Sequence, residues 1–363
     1  MYITRTNFAI HHNFNIQYSM EITFKKNIPL KQLTTFKIGL GKVKLLTKIT
    51  KKEQIPQLYT IAKKEKLPVI ILGEGSNSIA PDRDIEAIIA LNRIKGIKQI
   101  SPTIIEANSG EILDDLVSFT TQQQLYGIES LSGVPGTVGA SPIQNVGAYG
   151  QDISQTLTQL EAYDSKTNKF IILTNKQCQF TYRDSIFKNK AKNRYFISSI
   201  TVKLRKNRNK SPLYPSLQKY IEQNQLEDLS SPQIREYILD IRNSKIPDYH
   251  RYPNAGSFFK NVLINQKQFN YIEGNFGKPP FSDVMNGLIK IPIGWLIDKA
   301  NLKGKVFNGI KVDDNNALIL VNESANSFQQ LENTIKKIQK IIYDNFNIEI
   351  EPEPIFLDKI IED

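Results

Sequence analysis

The stretch LPVIILGEGSN, residues 67–77, decides the fold of this chain. Its first half is a short apolar run rich in β-branched residues, and such a run predicts a buried strand. Gly73 and Gly75 then predict a tight loop, whose free backbone N–H groups can approach a pyrophosphate. The loop does not continue as G-x-G-x-x-G into a helix, so a Rossmann dinucleotide site is not supported. Taken alone, a tight turn without a ligand is the simpler interpretation.

Strands and helices alternate along the chain outward from this loop. This alternation predicts an α/β or α+β fold, and 363 residues are long for one domain, so two or three lobes are expected. Periodicity predicts strands at residues 87–91, 103–107, 160–164, 170–173, 196–204, 288–291, 317–321 and 348–357. It predicts helices at residues 112–123, 231–241, 292–300 and 327–346.

A second glycine-rich stretch, LSGVPGTVGASPIQNVGAYG, occupies residues 131–150. It has too much glycine for a regular helix or strand and is too apolar for a disordered linker, so we expect a buried, functional loop. Backbone amides in such a loop can hold phosphates, although stacked turns are the structural alternative. Two glycine loops in one half of the chain favour a large phosphate-containing cofactor, and three polar side chains of the second loop suit a flavin's ring edge or ribityl chain. The candidates for cofactor binding are Gly73, Glu74, Gly75, Ser76, Asn77, Gly133, Pro135, Gly136, Gly139, Ala140, Ser141, Gln144, Asn145, Gly147 and Ala148.

Composition and charge limit the classes of function. No stretch approaches the roughly 18 apolar residues of a membrane helix, so we expect no membrane insertion. The net charge of +11 is compatible with nucleic acid, an anionic membrane or small polyanionic ligands. The dense basic cluster at residues 203–210 lacks interleaved aromatic residues, which favours a solvated strand end over a nucleic-acid platform. The single cysteine, Cys178, is interpreted as a buried apolar residue of a cytoplasmic protein.

Two short segments carry groups that suit catalysis. Arg183 in YRDS offers a planar cation for a carboxylate or a developing oxyanion, although a surface pair with Asp184 is the default interpretation. Ser257 in NAGSFFKN precedes two phenylalanines that can exclude water, and a hydroxyl in such a place can deliver a proton. A serine that caps a helix beside two core phenylalanines is the alternative.

Three glutamates near the end of the chain are a further candidate. Glu349, Glu351 and Glu353 share one face if their segment is a strand, and solvated and functional interpretations both stay open. Three histidines and one cysteine without ligand spacing indicate no metal site. His250 is the one histidine beyond the first 27 residues, which argues against a Ser-His-Asp triad.

Taken together, these segments are similar to those of one known family. The chain resembles the UDP-N-acetylenolpyruvoylglucosamine reductases, in their tyrosine-containing type I subclass, from about residue 30 to residue 357. Each motif is modest by itself, but their order and spacing are specific. The matching motifs are LTTFKIG (33–39), GEGSN (73–77), NRIKGI (92–97), GVPGTVGASPIQNVGAYG (133–150), YRDSIFK (182–188), NAGSFFKN (254–261), GWLID (294–298) and EPE (351–353).

The resemblance implies both a fold and a reaction. The fold is α+β: a two-lobed FAD-binding unit of the p-cresol methylhydroxylase/vanillyl-alcohol oxidase type, followed by a C-terminal α+β domain that binds the UDP-sugar. In the reaction, NADPH gives hydride to non-covalently bound FAD and NADP leaves. The flavin N5 then passes hydride to UDP-N-acetylenolpyruvoylglucosamine in the same cleft, which gives UDP-N-acetylmuramate for peptidoglycan synthesis. The expected protein is a cytoplasmic monomer with these two substrates and no nucleic-acid partner.

Residue roles follow from the matching motifs. By resemblance, Ser257 protonates the enol intermediate as general acid. Arg183 and Glu353 stabilise the developing enolate and complete the proton network, and a guanidinium suits the negative charge that hydride addition creates. A neutral serine needs a dry site for this role, and Phe258 and Phe259 are expected to help. Positions that resemble substrate contacts are Tyr182, Tyr214, Lys245 and Asn261.

The same resemblance divides the chain into four parts. These are an extension at residues 1–27 that is expected to be disordered, an FAD-binding unit of two lobes at 28–205 split near residue 92, a connecting segment with a substrate-side tyrosine at 206–244, and a substrate-binding domain at 245–357. Residues 1–27 show no secretory signal, and Met20 is an alternative start. SPLY at residues 211–214 matches the family only loosely, and Asp313 stands where some relatives have histidine.

Two alternatives of different classes accompany this interpretation. The first is another FAD oxidoreductase of the same superfamily, such as an oxidase. No histidine lies in the expected FAD lobes after His12, which argues against a histidyl-linked flavin. The second is a basic nucleic-acid-binding protein, whose binding would fall sharply with salt.

Overall fold

The computed structural model describes residues 22–208, 214–224, 229–284 and 287–361, with the backbone alone at Ser216 and residues 282–284. Some residues named in the sequence analysis lie outside these ranges, so the structure does not describe them. They are His11, His12, the alternative start Met20, Lys210 of the basic cluster, and residues 211–213 of the SPLY segment. Mixed helix and strand content confirms the expected α+β class. Within the described ranges, no helix combines the length and the apolar character that crossing a bilayer needs.

The first lobe is a small mixed sheet with one helix packed on it. Its elements are β1 (Lys25–Pro29), β2 (Lys42–Ile49), α1 (Gln54–Glu65), β3 (Val69–Leu72), β4 (Ser78–Ile79) and β5 (Ile85–Asn92). The strand order is β1-β2-β5-β3, with β1 antiparallel and the other pairs parallel. All residues of β5 except Glu86 are buried, as expected for a parallel strand covered on both faces. Lys25 and Lys26, expected in the extension, instead pair with β2, and Ile22 is buried against this lobe.

The second lobe is an antiparallel sheet. Its elements are β6 (Ile97–Ser101), β7 (Ile104–Asn108), α2 (Leu113–Gln122), β8 (Gly147–Ala148), β9 (Gln151–Asp152), β10 (Leu157–Asp164), β11 (Lys169–Thr174), α3 (Asn175–Cys178) and β12 (Tyr195–Lys203). Five strands pair in the order β11-β10-β12-β7-β6. The second glycine stretch runs between α2 and β10, through short 3₁₀ turns and the β8–β9 hairpin. The basic cluster starts where β12 ends, and its residues up to Arg208 are exposed apart from the interposed Leu204, as predicted.

Two helices connect this lobe to the rest of the chain. They are α4 (Pro215–Gln223) and α5 (Ser231–Lys245), and they pack on each other through a small apolar cluster. The predicted helix at residues 231–241 is confirmed. Its cap is Ser230 rather than Ser231, because Ser230 and Gln233 form the capping box.

The C-terminal domain combines two small sheets with three helices. Its elements are β13 (Asn254–Ser257), β14 (Val262–Ile264), α6 (Gln266–Phe276), β15 (Ser282–Val284), β16 (Leu288–Ile291), α7 (Ile293–Lys299), β17 (Val306–Phe307), β18 (Ile310–Val312), β19 (Ile319–Asn322), α8 (Phe328–Phe346) and β20 (Ile355–Phe356). The sheets are ordered β13-β19-β18-β17 and β14-β16-β15. The helices predicted at residues 292–300 and 327–346 are confirmed as α7 and α8.

The predicted strand at residues 348–357 is wrong over most of its length. Only Ile355 and Phe356 form a strand, which pairs with β4 of the first lobe. Pro352 and Pro354 lack the N–H that a paired strand needs, and this explains the interruption. The three glutamates therefore do not share one face of a strand.

The first lobe and the C-terminal domain share one hydrophobic core. Phe36 and Ile38 of the loop after β1 are fully buried among residues of the C-terminal domain. The Thr35 hydroxyl donates to the Asn254 carbonyl oxygen at 2.7 Å, and Ile355 N donates to the Asn77 carbonyl oxygen at 2.9 Å. These contacts fix the first glycine loop beside the end of the chain.

Candidate functional site

The two glycine loops, far apart in sequence, meet in the structure. The Asn77 side-chain amide donates to Gln144 Oε1 at 2.7 Å. A Cβ added to Gly73 would lie 2.5 Å from Thr137 Oγ1, and one added to Gly136 would lie 3.3 Å from Ser76 Oγ. The backbones therefore approach as closely as they do because side chains are absent there.

Backbone conformation gives a second reason for glycine at two of these positions. Gly75 has φ +67°, and its Cβ would lie 2.0 Å from the Leu33 carbonyl oxygen. Gly136 has φ +117°. The first value favours glycine, and the second is open to few other residues. The paired loops form a narrow, glycine-rich cradle, which suits the binding of a pyrophosphate.

Some polar side chains predicted for the cofactor bind the protein itself. The Ser141 hydroxyl, which is buried, donates to the Val138 carbonyl oxygen at 2.7 Å. Asn145 donates to the Thr181 carbonyl oxygen at 3.1 Å and accepts from Ser154 N. These groups shape the second loop and hold it against residue 181. A direct cofactor contact for Ser141 and Asn145 stays a prediction.

An open cleft of about 240 Å³ lies beside the first glycine loop. Thr34, 5% exposed, lines it, and the Thr34 hydroxyl has no hydrogen-bond partner among the described residues. A buried hydroxyl without a partner is uncommon and suggests a bound polar group. Glu74, predicted to bind cofactor, pairs with Arg93 at 3.1 Å on the cleft wall. Tyr249 and His250 also line the cleft, with ring centroids 4.2 Å apart.

Arg183 lies in a tight turn close to the second glycine loop. Thr181 and Asp184 exchange two backbone hydrogen bonds across the turn, and Arg183 has φ +54°. Arg183 Nη2 donates to the Gly147 carbonyl oxygen at 2.7 Å. The expected surface pair with Asp184 does not form, since Asp184 accepts from Ser185 N and Asn189 instead.

Arg183 and Glu353 form an ion pair in a partly enclosed position. Arg183 Nε lies 3.3 Å from Glu353 Oε1, and the two side chains are 23% and 10% exposed. Burial raises the pKa of Glu353 above its usual range, although Arg183, Lys188 and Lys260 oppose this. Arg183 Nε is itself buried and makes no well-aligned hydrogen bond within the described chain. The Glu353 carboxylate therefore holds Nε by charge and not by an aligned hydrogen bond.

Ser257 ends β13 next to the segment that carries Glu353. Glu353 N donates to the Phe258 carbonyl oxygen at 2.8 Å, and Phe259 forms an isolated antiparallel β-bridge with Pro352. The structure thus brings together the neighbourhoods of the three predicted catalytic residues. Ser257 is exposed, whereas Phe258 and Phe259 are buried in the C-terminal core. The expectation that these two rings exclude water from the Ser257 hydroxyl is wrong, because their apolar surface packs on Phe36 and its neighbours.

The other two glutamates of the predicted set lie elsewhere. Glu349 is exposed, and Glu351 pairs with Lys260 at 2.9 Å. The hydrogen bond from Lys260 lowers the pKa of Glu351. Only Glu353 therefore faces Arg183.

Predicted substrate contacts surround the Arg183 turn, with one exception. The Tyr182 ring packs against the Lys290 ammonium at 4.8 Å, and Asn261 hydrogen-bonds the Tyr182 hydroxyl. Asn261 Oδ1 also accepts from Ile293 N at the start of α7. Tyr214 meets Tyr149 edge-on at 5.7 Å, above Gly150. Lys245 is the exception, since it is exposed at the end of α5.

Several residues of interest have structural roles. Cys178 is fully buried, as predicted, and burial raises the pKa of its thiol to about 12. The Asp313 carboxylate accepts from the backbone N–H groups of Asn315 and Asn316, and so shapes its own loop. Across the described ranges, no group of three or more His, Cys, Asp or Glu is placed to hold a metal ion.

The sequence alone missed four cations near the predicted site. They are Lys188, Arg242, Lys260 and Lys290. Lys188 and Lys260 lie within the matched motifs YRDSIFK and NAGSFFKN, so the motifs were a signal for these two. Arg242 and Lys290 carried no such signal, because their positions near Tyr149 and Tyr182 depend on tertiary packing.

Comparisons with known proteins find two family models along the chain. A model of an FAD binding domain matches residues 43–170. A model of the C-terminal domain of UDP-N-acetylenolpyruvoylglucosamine reductase matches residues 248–357. The predicted order, an FAD-binding unit followed by a C-terminal α+β domain, is confirmed.

Full-length relatives agree with these models. A UDP-N-acetylenolpyruvoylglucosamine reductase of Flavobacterium johnsoniae is 35% identical over 339 residues, which cover 92% of this chain and 99% of that protein. A protein of the same name from Pasteurella multocida is 34% identical, with 91% and 96% covered. The crystal structure of a Thermus caldophilus UDP-N-acetylenolpyruvylglucosamine reductase shares the fold, with a TM-score of 0.66, 18% identity, and 93% and 99% of the two chains covered.

Proposed function

The chain belongs to the UDP-N-acetylenolpyruvoylglucosamine reductase family, and from this premise we propose that it reduces UDP-N-acetylenolpyruvoylglucosamine to UDP-N-acetylmuramate with FAD and NADPH. The product is a precursor of peptidoglycan. One structural observation carries the proposal best: Arg183, Glu353 and the strand that ends at Ser257 meet beside the paired glycine loops.

The residues of the cradle fit FAD. Gly73, Gly75 and Gly136 let the loop backbones pack closely on each other and on Leu33, which suits loops that present backbone N–H groups to a pyrophosphate. The unpartnered Thr34 hydroxyl can accept or donate to a further polar group of the cofactor. FAD, when bound, supplies the hydride chemistry, taking hydride from NADPH and delivering it to the enolpyruvyl group.

Arg183 is proposed to stabilise negative charge on the substrate. Hydride addition to an α,β-unsaturated carboxylate shifts charge towards the carboxylate, and a guanidinium held in place stabilises that charge without reorganisation. Arg183 suits this role because its guanidinium is fixed by the hydrogen bond of Nη2 to Gly147. The turn and the ion pair with Glu353 set its direction.

Proton delivery is proposed for Ser257, with Glu353 completing the network. Ser257 ends a strand whose next residue hydrogen-bonds the backbone of Glu353. The raised pKa of Glu353, caused by burial, lets this carboxyl hold a proton at a higher pH than a solvated glutamate. Because Ser257 is exposed, exclusion of water must come from the bound substrate.

The remaining site assignments belong to the same proposal. Tyr182, Tyr214, Lys245 and Asn261 bind the sugar nucleotide, and Lys245 suits its pyrophosphate because it is a mobile exposed cation. The proposed cofactor contacts are the predicted residues of the two glycine loops. The proposed division remains an FAD-binding unit to residue 205, a connecting segment and a substrate-binding domain from residue 245.

Compartment and assembly are also proposals. The proposed protein is a cytoplasmic monomer, and a lone buried cysteine that needs no oxidising compartment supports the cytoplasmic location. The net charge of +11 suits three polyanionic ligands.

Product analysis tests the proposed function. The purified protein, reconstituted with FAD, is incubated with NADPH and UDP-N-acetylenolpyruvoylglucosamine, and the products are followed by mass spectrometry and absorbance. We expect one UDP-N-acetylmuramate for each NADPH consumed. Consumption of NADPH with oxygen alone, and no reduced sugar, would move the function to another flavin oxidoreductase.

A further inference from the structure

Lys188 has an uncommon hydrogen-bond partner for a half-buried cation. It ends the 3₁₀ turn Ile186–Lys188, and Nζ donates to the carbonyl oxygen of Arg183 at 3.2 Å. Among the described residues, this is the only hydrogen bond of Nζ. The nearby carboxylate of Asp184 is occupied by Ser185 N and Asn189. The ammonium is therefore directed at the backbone of the Arg183 turn rather than at an acid.

The turn needs external support because of its sequence. Thr181 O accepts from Asp184 N at 3.3 Å, and Arg183 occupies the third position with φ +54°. This position of a two-residue turn favours glycine, and an arginine there carries the strain of a side chain at positive φ. An unsupported turn would relax and redirect the arginine.

Three contacts hold the turn in this conformation. Asn145 donates to Thr181 O, Arg183 Nη2 donates to Gly147 O, and Lys188 donates to Arg183 O. The 3₁₀ turn that carries Lys188 is itself fixed, since the Ser185 hydroxyl donates to the Ile143 carbonyl oxygen at 2.6 Å. Lys188 is thus tied to the second glycine loop on one side and to the Arg183 backbone on the other.

We propose that Lys188 is a positioning residue, whose ammonium holds the 181–184 turn in the conformation that presents Arg183 to the substrate. The inference rests on the proposed function, since it assigns Lys188 a task in the reduction of the sugar nucleotide. In this role Lys188 acts through Arg183.

Besides holding the turn, Lys188 also influences the pKa of Glu353 through its charge, and the experiment must distinguish these two effects. Glu353 is faced by three cations, Arg183, Lys188 and Lys260, and each of them lowers its pKa. Lys188 in turn is faced by Lys260, Asp184, Glu353 and Arg183. Loss of either lysine charge should therefore raise the pKa of Glu353. Lys260 bonds Glu351 and not the turn, so Lys260→Met is a matched control for the charge alone.

Single-turnover kinetics with a double-mutant cycle test the proposal. FAD-loaded wild type, Lys188→Met, Lys188→Arg, Lys260→Met, Arg183→Ala and the Arg183→Ala/Lys188→Met double variant are compared. For Lys188→Met we expect reduction by NADPH within about twofold of wild type, and reoxidation by UDP-N-acetylenolpyruvoylglucosamine at least about tenfold slower. Lys188→Arg restores most of the rate, and the double variant is no slower than Arg183→Ala, because the two residues act as one unit.

Three outcomes would overturn the proposal. The first is a normal rate of flavin reoxidation in Lys188→Met. The second is a double variant that is slower than Arg183→Ala by the full factor seen for Lys188→Met alone. The third is a plateau rate in Lys260→Met that falls as far as in Lys188→Met, since Lys260→Met should only shift the pH profile. If methionine prevents folding, as judged by circular dichroism and flavin content, Lys188→Gln replaces it throughout the cycle. Wild type that the sugar nucleotide does not reoxidise would instead overturn the proposed function, and the inference with it.

Discussion

Nε of Arg183 lies 3.3 Å from Oε1 of Glu353, and this pair joins the second lobe to the last segment of the C-terminal domain. The backbone of Glu353 also binds Phe258, one residue after Ser257. Three separate parts of the chain therefore converge at one point beside the glycine loops. The reaction assigned to this point predicts distinct effects of its members.

Replacement of the proposed acid should separate the two half-reactions. In Ser257→Ala, we expect flavin reduction by NADPH to stay within about twofold of wild type, because no proton from Ser257 is needed there. Reoxidation by the sugar nucleotide should slow by about 100-fold or more, the usual contribution of a general acid. Stopped-flow absorbance at the flavin band measures both steps. Equal slowing of both would indicate a structural role for Ser257.

Glu353→Gln should reduce activity without a loss of stability. Burial raises the folded-state pKa of Glu353, so the protonated form stabilises the fold at low pH and this stability is lost as pH rises through the raised pKa. Glutamine mimics the protonated form. We therefore expect the variant to be as stable as wild type or about 1 kcal/mol more stable at pH 8, with the gap closing in acid. Urea unfolding at pH 8 and pH 4 checks this, and a marked loss of stability at pH 8 would contradict it.

The close packing of the two glycine loops predicts that one methyl group added at Gly73 strongly weakens FAD binding. In Gly73→Ala the new Cβ would lie 2.5 Å from Thr137 Oγ1, and the resulting strain should weaken FAD binding at least about tenfold. The second change Thr137→Ala should restore most of the affinity. Gly274→Ala in α6 is the control, since nothing lies within 4 Å of its Cβ, and it should leave FAD affinity unchanged. Flavin fluorescence titration of the apoprotein gives the affinities.

Acid stability should depend on an ion pair away from the site. Two hydrogen bonds from Arg194 to Asp164, at 2.9 and 2.7 Å, lower the pKa of Asp164 to about 2. Its stabilisation is present above the unfolded pKa of 3.8 and is lost as pH falls through about 2. Asp164→Asn should cost about 2 kcal/mol at pH 7. Urea midpoints should show a smaller cost at pH 3, and an equal cost at both pH values would contradict this account.

Local pattern predicted the regular elements well where periodicity was strong. The helix α8 has apolar residues on one face, and the runs in β5 and β12 are nearly continuous, so each was foreseen. Helix α1 was missed although Ile55, Leu58 and Ala62 recur at helical spacing, and Pro56 lies in its first turn, where proline is compatible with a helix. The terminal strand was overpredicted because alternation persists at residues 348–351 while two prolines stop the pairing.

The site was predictable only as a set of motifs. Glycines after strands indicated the two loops, but the contact between Gly73 and Thr137 depends on how two lobes pack. The choice of Glu353 over Glu349 and Glu351 came from resemblance, and only tertiary structure shows that it alone faces Arg183. Sequence could not show that Phe258 and Phe259 fill the core instead of covering Ser257.

Anaerobic stopped-flow absorbance at the flavin band tests the central claim most directly. The FAD-loaded protein is mixed first with NADPH and then with UDP-N-acetylenolpyruvoylglucosamine. We predict bleaching by NADPH, followed by recovery of the band that depends on the sugar nucleotide. Bleaching without recovery would contradict the assigned substrate, and a protein that takes up no FAD would contradict the flavoenzyme itself.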